Sequence, residues 1–157
     1  MTPDSCRIRT AGKGDLDAIL DLYTHLHDQD AGADRQDQEK AFHEIRSRPG
    51  NHLFVLEAEG RIISSCILHI LPNLTRGARP YGLVENVVTR REYRGLGYAT
   101  RLLTAALQRA WTEDCYKVML MTGRTDPAVF RLYEKAGFLR GKKEALITFP
   151  ENEPPQP

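Results

Sequence analysis

At 157 residues the chain has the length of one domain and enough sequence to bury its own core. A formal net charge of +1, from 22 basic and 21 acidic residues, gives no basic excess for gripping a nucleic-acid backbone. No apolar run approaches the roughly 18 residues of a membrane span, and no basic-then-apolar signal segment opens the chain, so neither nucleic acid nor membrane is an expected partner and the cytoplasm is the expected compartment.

Cys6–Thr10 alternates like a short strand, and Gly12 and Gly14 punctuate the turn after it. From Asp15 the apolar positions Leu16, Ile19, Leu20, Tyr23 and Leu26 recur at helical spacing and predict a helix to about His27. Asp28–Asp34 is acidic and reads as a loop, and Gln36–Ser47 forms a second helix stopped by Pro49-Gly50. His52–Ala58 and Arg61–Leu71 flank Glu59-Gly60 and predict a hairpin. Pro72–Pro80 is an irregular basic connection to a strand over Tyr81–Thr89, which a Gly-containing turn over Arg90–Tyr98 follows. Ala99, Leu102, Leu103, Ala106, Leu107, Ala110 and Trp111 mark one face of a long helix. Tyr116–Met121 predicts a strand, Asp126–Ala136 a helix closed by Gly137, and Phe138–Phe149 one or two final strands. Residues 1–149 are thus expected to form one domain, and 150–157, with four prolines in eight residues, a disordered tail. Mixing hairpins with crossover helices predicts an α/β fold around a mixed sheet.

The three cysteines, Cys6, Cys66 and Cys115, are odd in number, far apart and without a CxxC pair, so they read as reduced thiols. His25-x-His27-Asp28 lacks the spacing and further ligands of a metal site, and no metal is expected. Charge is uneven. Arg76, Arg79, Arg90, Arg91, Arg94 and Arg101 face only Glu85 and Glu92 over the same stretch, a balance suited to a small anionic ligand.

The most informative segment runs from Val84 to Thr100, where a strand feeds an Arg-Gly-x-Gly-x-Ala turn that opens an amphipathic helix. Gly95 and Gly97 allow backbone amides to approach an anion, and the helix N-terminus adds partial positive charge and free N–H groups. Together they can cradle a diphosphate, although a tight strand-to-helix connection needs the same glycines. No Lys-Ser or Lys-Thr follows, which excludes a P-loop. The turn also lies past the middle of the chain, which argues against a dinucleotide-binding GxGxxG turn.

Arg94-x-x-Gly97-x-Ala99 resembles the [QR]xxGx[GA] signature of the GNAT superfamily of N-acetyltransferases, and Phe130-Arg-Leu-Tyr-Glu-Lys-Ala-Gly-Phe138 is similar to its LYEKxGF segment. Ile8-Arg-x-Ala11, then Asp15-Leu16 and an amphipathic helix, resembles its opening. The resemblance covers residues 6–149. It implies a mostly antiparallel central sheet with helices on both faces, and acetyl-CoA as co-substrate. It also implies that pantetheine pairs with the strand edge at Val87, Val88 and Thr89. The amides of Arg94, Gly95, Leu96, Gly97, Tyr98, Ala99 and Thr100 would then hold the pyrophosphate, with Phe130 also on the cofactor side. Asp126 stands where many relatives carry an asparagine near the cofactor, or it caps its helix, aided by Pro127.

Acetyl transfer to an amine needs a base for the amine, donors for the oxyanion and a proton for the departing thiolate. The resemblance makes Tyr133 the general acid, with a packed core tyrosine as the other reading; an amide of the Val87–Val88 edge would be the oxyanion donor. Glu85 is the candidate base, directly or through water, or else a salt-bridged strand residue. His69 is the one histidine on a strand expected to pass the acceptor side. Val84-Glu-Asn-Val-Val88 and Cys115-Tyr-Lys-Val-Met-Leu120 resemble segments of glucosamine-6-phosphate N-acetyltransferases, while Met121–Thr125 departs from their pattern. An anionic amino sugar would give Arg76 and Arg79 a substrate-binding role. The expected partner is a small-molecule amine, with a homodimer left open. A non-catalytic acyl-CoA-binding module and a peptide or protein N-acetyltransferase are the alternatives.

Overall fold

The computed structural model describes residues 6–26 and 32–151. His27, most of the acidic segment that begins at Asp28, and the tail beyond Glu151 lie outside the described residues. The elements are β1 (Arg7–Thr10), α1 (Leu16–Tyr23), α2 (Arg35–Ser47), β2 (Asn51–Ala58), β3 (Arg61–Leu71), β4 (Tyr81–Thr89), α3 (Tyr98–Thr112), β5 (Val118–Leu120) and α4 (Pro127–Lys135). The strands form one sheet in the order β1-β2-β3-β4-β5; the first four are antiparallel and β5 runs parallel to β4. The expectation of a mixed, mostly antiparallel α/β sheet with helices is thus met.

Alternation along the strands divides the core. Phe54, Leu56 and Leu68 join the cluster beneath Leu102, Leu103, Ala106 and Ala110 of α3. Leu53, Val55, Ile67 and Val88 join Leu16, Ile19, Leu22 and Phe42 of α1 and α2 on the other. Ala106 and Ala110, fully buried, let α3 lie close to the sheet, whereas Trp111 is 51% exposed and does not belong to the buried stripe. Its place one residue past Ala110 rotates it about 100° off that face.

The start of α1 rests on Asp15. Its carboxylate accepts from the Gly12 amide at 2.6 Å and from Arg9, whose guanidinium also meets Glu57. The Arg9 partner, opposed by burial and helped by the Gly12 amide, holds the Asp15 carboxyl below the usual carboxylate range. This stabilisation is therefore present above the unfolded value of about 3.9 and is lost as pH falls through the lower folded value. Asp15→Asn is expected to cost about 1–2 kcal/mol at neutral pH, with the difference from the parent shrinking in acid, as urea melts at several pH values would read.

Two expectations are corrected. The strand predicted over Tyr116–Met121 shortens to Val118–Leu120, and no strand forms over residues 138–149. Leu146 and Ile147 are 96% and 81% exposed. An apolar run becomes a strand only where a neighbour takes its backbone groups, and among the described residues none pairs with this one.

Candidate active site

β4 and β5 pair only at Gly82–Val118, Leu83–Met119 and Val84–Leu120. Beyond Val84 the two strands part, and the β4 edge from Glu85 to Thr89 lines a cleft of about 680 Å³. A bulge marks the parting: Ser65 pairs with Val88 and Ile67 with Glu85, so Cys66 alone faces both Asn86 and Val87. Asn86 takes a left-handed φ of 51°, a conformation asparagine tolerates better than most residues.

At the end of β4 the chain turns through Gly95 (φ 78°) and Gly97 (φ 83°) into α3. A Cβ at either glycine would meet no protein atom within 4 Å, so the cost of a side chain there is backbone strain, plus whatever it displaces from the cleft. The first helical hydrogen bond runs from Arg101 N–H to the Gly97 carbonyl at 3.1 Å, and no side chain caps the helix. The amides of Tyr98, Ala99 and Thr100 precede that bond, and these residues line the cleft. A strand edge that β5 leaves uncovered beyond Val84, leading to a helix N-terminus, suits an extended ligand that ends in a diphosphate.

Of the expected cofactor residues, Val87, Val88, Thr89, Arg94, Gly95, Gly97, Tyr98, Ala99 and Thr100 line the cleft; Leu96 and Phe130 do not. Leu96 is 60% exposed, and Phe130 packs under the Arg140 guanidinium, 3.9 Å from its ring centre. The Arg94 side chain is engaged by the protein, donating to the carbonyls of Thr89 (3.0 Å) and His25 (2.9 Å). Asp126 caps α4, accepting from the Ala128 amide at 2.8 Å, while also lining the cleft. Gly137 ends the helix with a positive φ, as its sequence position predicts.

Tyr133 and Glu85 come together in this cleft. Burial pushes the Tyr133 phenol above the ordinary tyrosine range; the Arg124 charge opposes this, and Cys66 and Glu85 add to it. The phenol therefore keeps its proton at neutral pH, as a proton donor must. His69 binds Asn51 at 2.8 Å and is absent from the cleft lining.

Arg76 and Arg79 are not brought to the cleft. Arg79 donates to the Asp114 carboxylate at 3.0 Å and to the carbonyls of Asp114 and Cys115, at the far end of α3. Arg76 is exposed in the turn before β4. The basic stretch is partly structural as well: Arg90 is buried, donates to the Ile62 carbonyl at 3.0 Å and pairs with Asp21 of α1. The arginines that do line the cleft are Arg94, Arg124 and Arg131; of these, Arg124 acts on the Tyr133 phenol, and its Nη2 donates to the Leu26 carbonyl at 3.0 Å. Sequence reading missed it. The available signal was position, since ligands of open α/β sheets sit beyond the carboxyl ends of parallel strands, and Arg124 lies four residues past β5.

A parting pair of parallel strands, a glycine turn into a helix and a half-buried phenol thus share one cleft. Comparison with known proteins supplies the family. Residues 16–138 match the acetyltransferase (GNAT) family model. The chain is 32% identical over 142 residues to glucosamine 6-phosphate N-acetyltransferase of Trypanosoma brucei brucei, covering 89% of this chain and 93% of that protein. A solved structure from Agrobacterium tumefaciens str. C58, assigned to the acetyltransferases, superposes with a TM-score of 0.86 at 41% identity, covering 91% of this chain and 99% of that one. A Trypanosoma brucei acetyltransferase structure gives a TM-score of 0.78 at 28% identity, over 92% of this chain and 100% of that one. The chain belongs to the GNAT acetyltransferase family.

Among the described residues no group of three His, Cys, Asp or Glu side chains is placed to hold a metal ion. No helix among them is long and apolar enough to cross a membrane.

Proposed function

We propose that the protein is an N-acetyltransferase that moves acetyl from acetyl-CoA to the primary amine of a small molecule by direct attack in a ternary complex. The observation that carries this reading is the placement of Glu85, the Val87–Val88 edge, the Gly95–Thr100 turn and Tyr133 around one cleft. The turn fits the co-substrate's diphosphate, and the open β4 edge offers amides and carbonyls to its pantetheine arm. Acetyl-CoA supplies the activated thioester. The chain's residues supply the rest: Glu85 takes the amine's proton directly or through water, an amide of Val87 or Val88 donates to the carbonyl oxygen as it gains charge, and Tyr133 protonates the departing sulfur. No cysteine is among the residues that line the cleft. Cys66 is fully buried and its thiol is pushed up to about 12, chiefly by that burial.

The acceptor expected is an anionic amine such as an amino-sugar phosphate. The reading rests on the Trypanosoma relative and on Arg124 in the cleft lining, rather than on Arg76 or Arg79. Three cysteines, odd in number and without a CxxC pair, suit a reducing compartment, and we place the reaction in the cytoplasm. Initial rates measured against both substrates test direct attack: the double-reciprocal lines are expected to intersect, and parallel lines would show an acyl-enzyme instead.

A further inference from the structure

One wall of the cleft is built by the exit of α1. His25 and Leu26, just past the end of that helix, line the cleft together with the β4 edge and the loop after β5. A helix exit leaves carbonyls without partners in its own turn, and arginine side chains can take them. Here two arginines from different elements take two successive carbonyls. Arg94, in the turn before α3, donates from Nη2 to the His25 carbonyl at 2.9 Å and from Nε to the Thr89 carbonyl, at the end of β4, at 3.0 Å. Arg124, in the loop after β5, donates to the Leu26 carbonyl at 3.0 Å. Backbone pairing between β4 and β5 stops at Val84 and Leu120, so the α1 exit is tied to both sides of the cleft after the strands have parted.

We propose that the Arg94 side chain is a positioning residue for the amine acceptor: it braces the α1 exit against the end of β4, so that the wall at His25 and Leu26 keeps the shape the acceptor meets. Arg124 holds the same wall from the other side, and a guanidinium carries five N–H groups, so its bond to Leu26 leaves donors for an anionic acceptor. Backbone and side chain then divide the work of the turn. The amides that open α3 take the diphosphate, while the Arg94 guanidinium, aimed at the Thr89 and His25 carbonyls, shapes the wall. The effect on the acceptor rests on the acetyl-transfer reading; the brace itself does not.

Arg94→Met keeps an apolar stem and removes both donors. Arg94 is exposed, so the loss is modest: KM for glucosamine 6-phosphate is expected to rise about five-fold, with acetyl-CoA Kd within about two-fold of the parent by calorimetry. Hydrogen exchange reads the brace without turnover. The His25 and Leu26 amides, which donate to the Leu22 and Tyr23 carbonyls at 3.0 and 2.9 Å, should exchange several-fold faster in the variant. Unchanged KM or unchanged exchange would overturn the proposal. So would acetyl-CoA binding weakened ten-fold or more, which would assign the side chain to the diphosphate. A parent that transfers no acetyl group to glucosamine 6-phosphate would sink the acceptor reading alone, and exchange and acetyl-CoA affinity would then judge the brace.

Discussion

Tyr133→Phe is expected to lower kcat about a hundred-fold while acetyl-CoA affinity stays within a few-fold of the parent. The phenol lines the cleft with Glu85, and its ring packs edge-on to Phe138 with centres 6.2 Å apart, a contact that phenylalanine keeps. The loss is therefore confined to the proton. A thiolate leaving without a donor must depart with its full negative charge. The same chemistry sets a pH signature. Because burial raises the Tyr133 phenol, the alkaline limb of kcat should lie above the ordinary tyrosine range. Arg124 works against that rise, so Arg124→Met should move the limb further up and not down. Wild-type kcat in Tyr133→Phe would remove the phenol from proton donation.

Gly97→Glu is expected to abolish acetyl-CoA binding, weakening it a hundred-fold or more. At φ 83° any side chain costs about 1–2 kcal/mol of backbone strain. That cost can be separated from the rest, because a Cβ at this position meets no protein atom within 4 Å. Gly97→Ala carries the strain alone and should lower the melting temperature modestly while retaining most of the binding. The glutamate adds bulk and a negative charge at a helix N-terminus that otherwise favours anions, and so opposes a diphosphate directly. Calorimetry on both folded variants reads the difference. Equal affinity in the alanine and glutamate variants would move the diphosphate away from this turn.

Local periodicity and turn chemistry made most of the fold legible. The Glu59-Gly60 hairpin, the amphipathic α3 and the Asp126-Pro127 start of α4 each depend on residues a few positions apart, and each forms where its pattern predicts. Positions that depend on distant partners were not legible in this way. Arg79 and Arg90 read as available cations, yet one is fixed by Asp114, 35 residues away, and the other is buried against Ile62 and Asp21. Residues 138–149 carry a strand-like composition without an edge to join. Nothing local to Arg124 marks it in the sequence; the parting of β4 and β5 brings it into the cleft with Tyr133.

The most direct test of the account is a coupled measurement of free thiol and acetylated amine, with acetyl-CoA and a panel of amines that includes glucosamine 6-phosphate. Acetyl transfer to a small amine predicts thiol release that depends on the amine and matches the acetylated product one for one. It further predicts a preference for anionic acceptors that weakens in Arg124→Met. Tight acetyl-CoA binding with no acetylated amine from any acceptor would contradict the account and identify the cleft as a binding module without turnover.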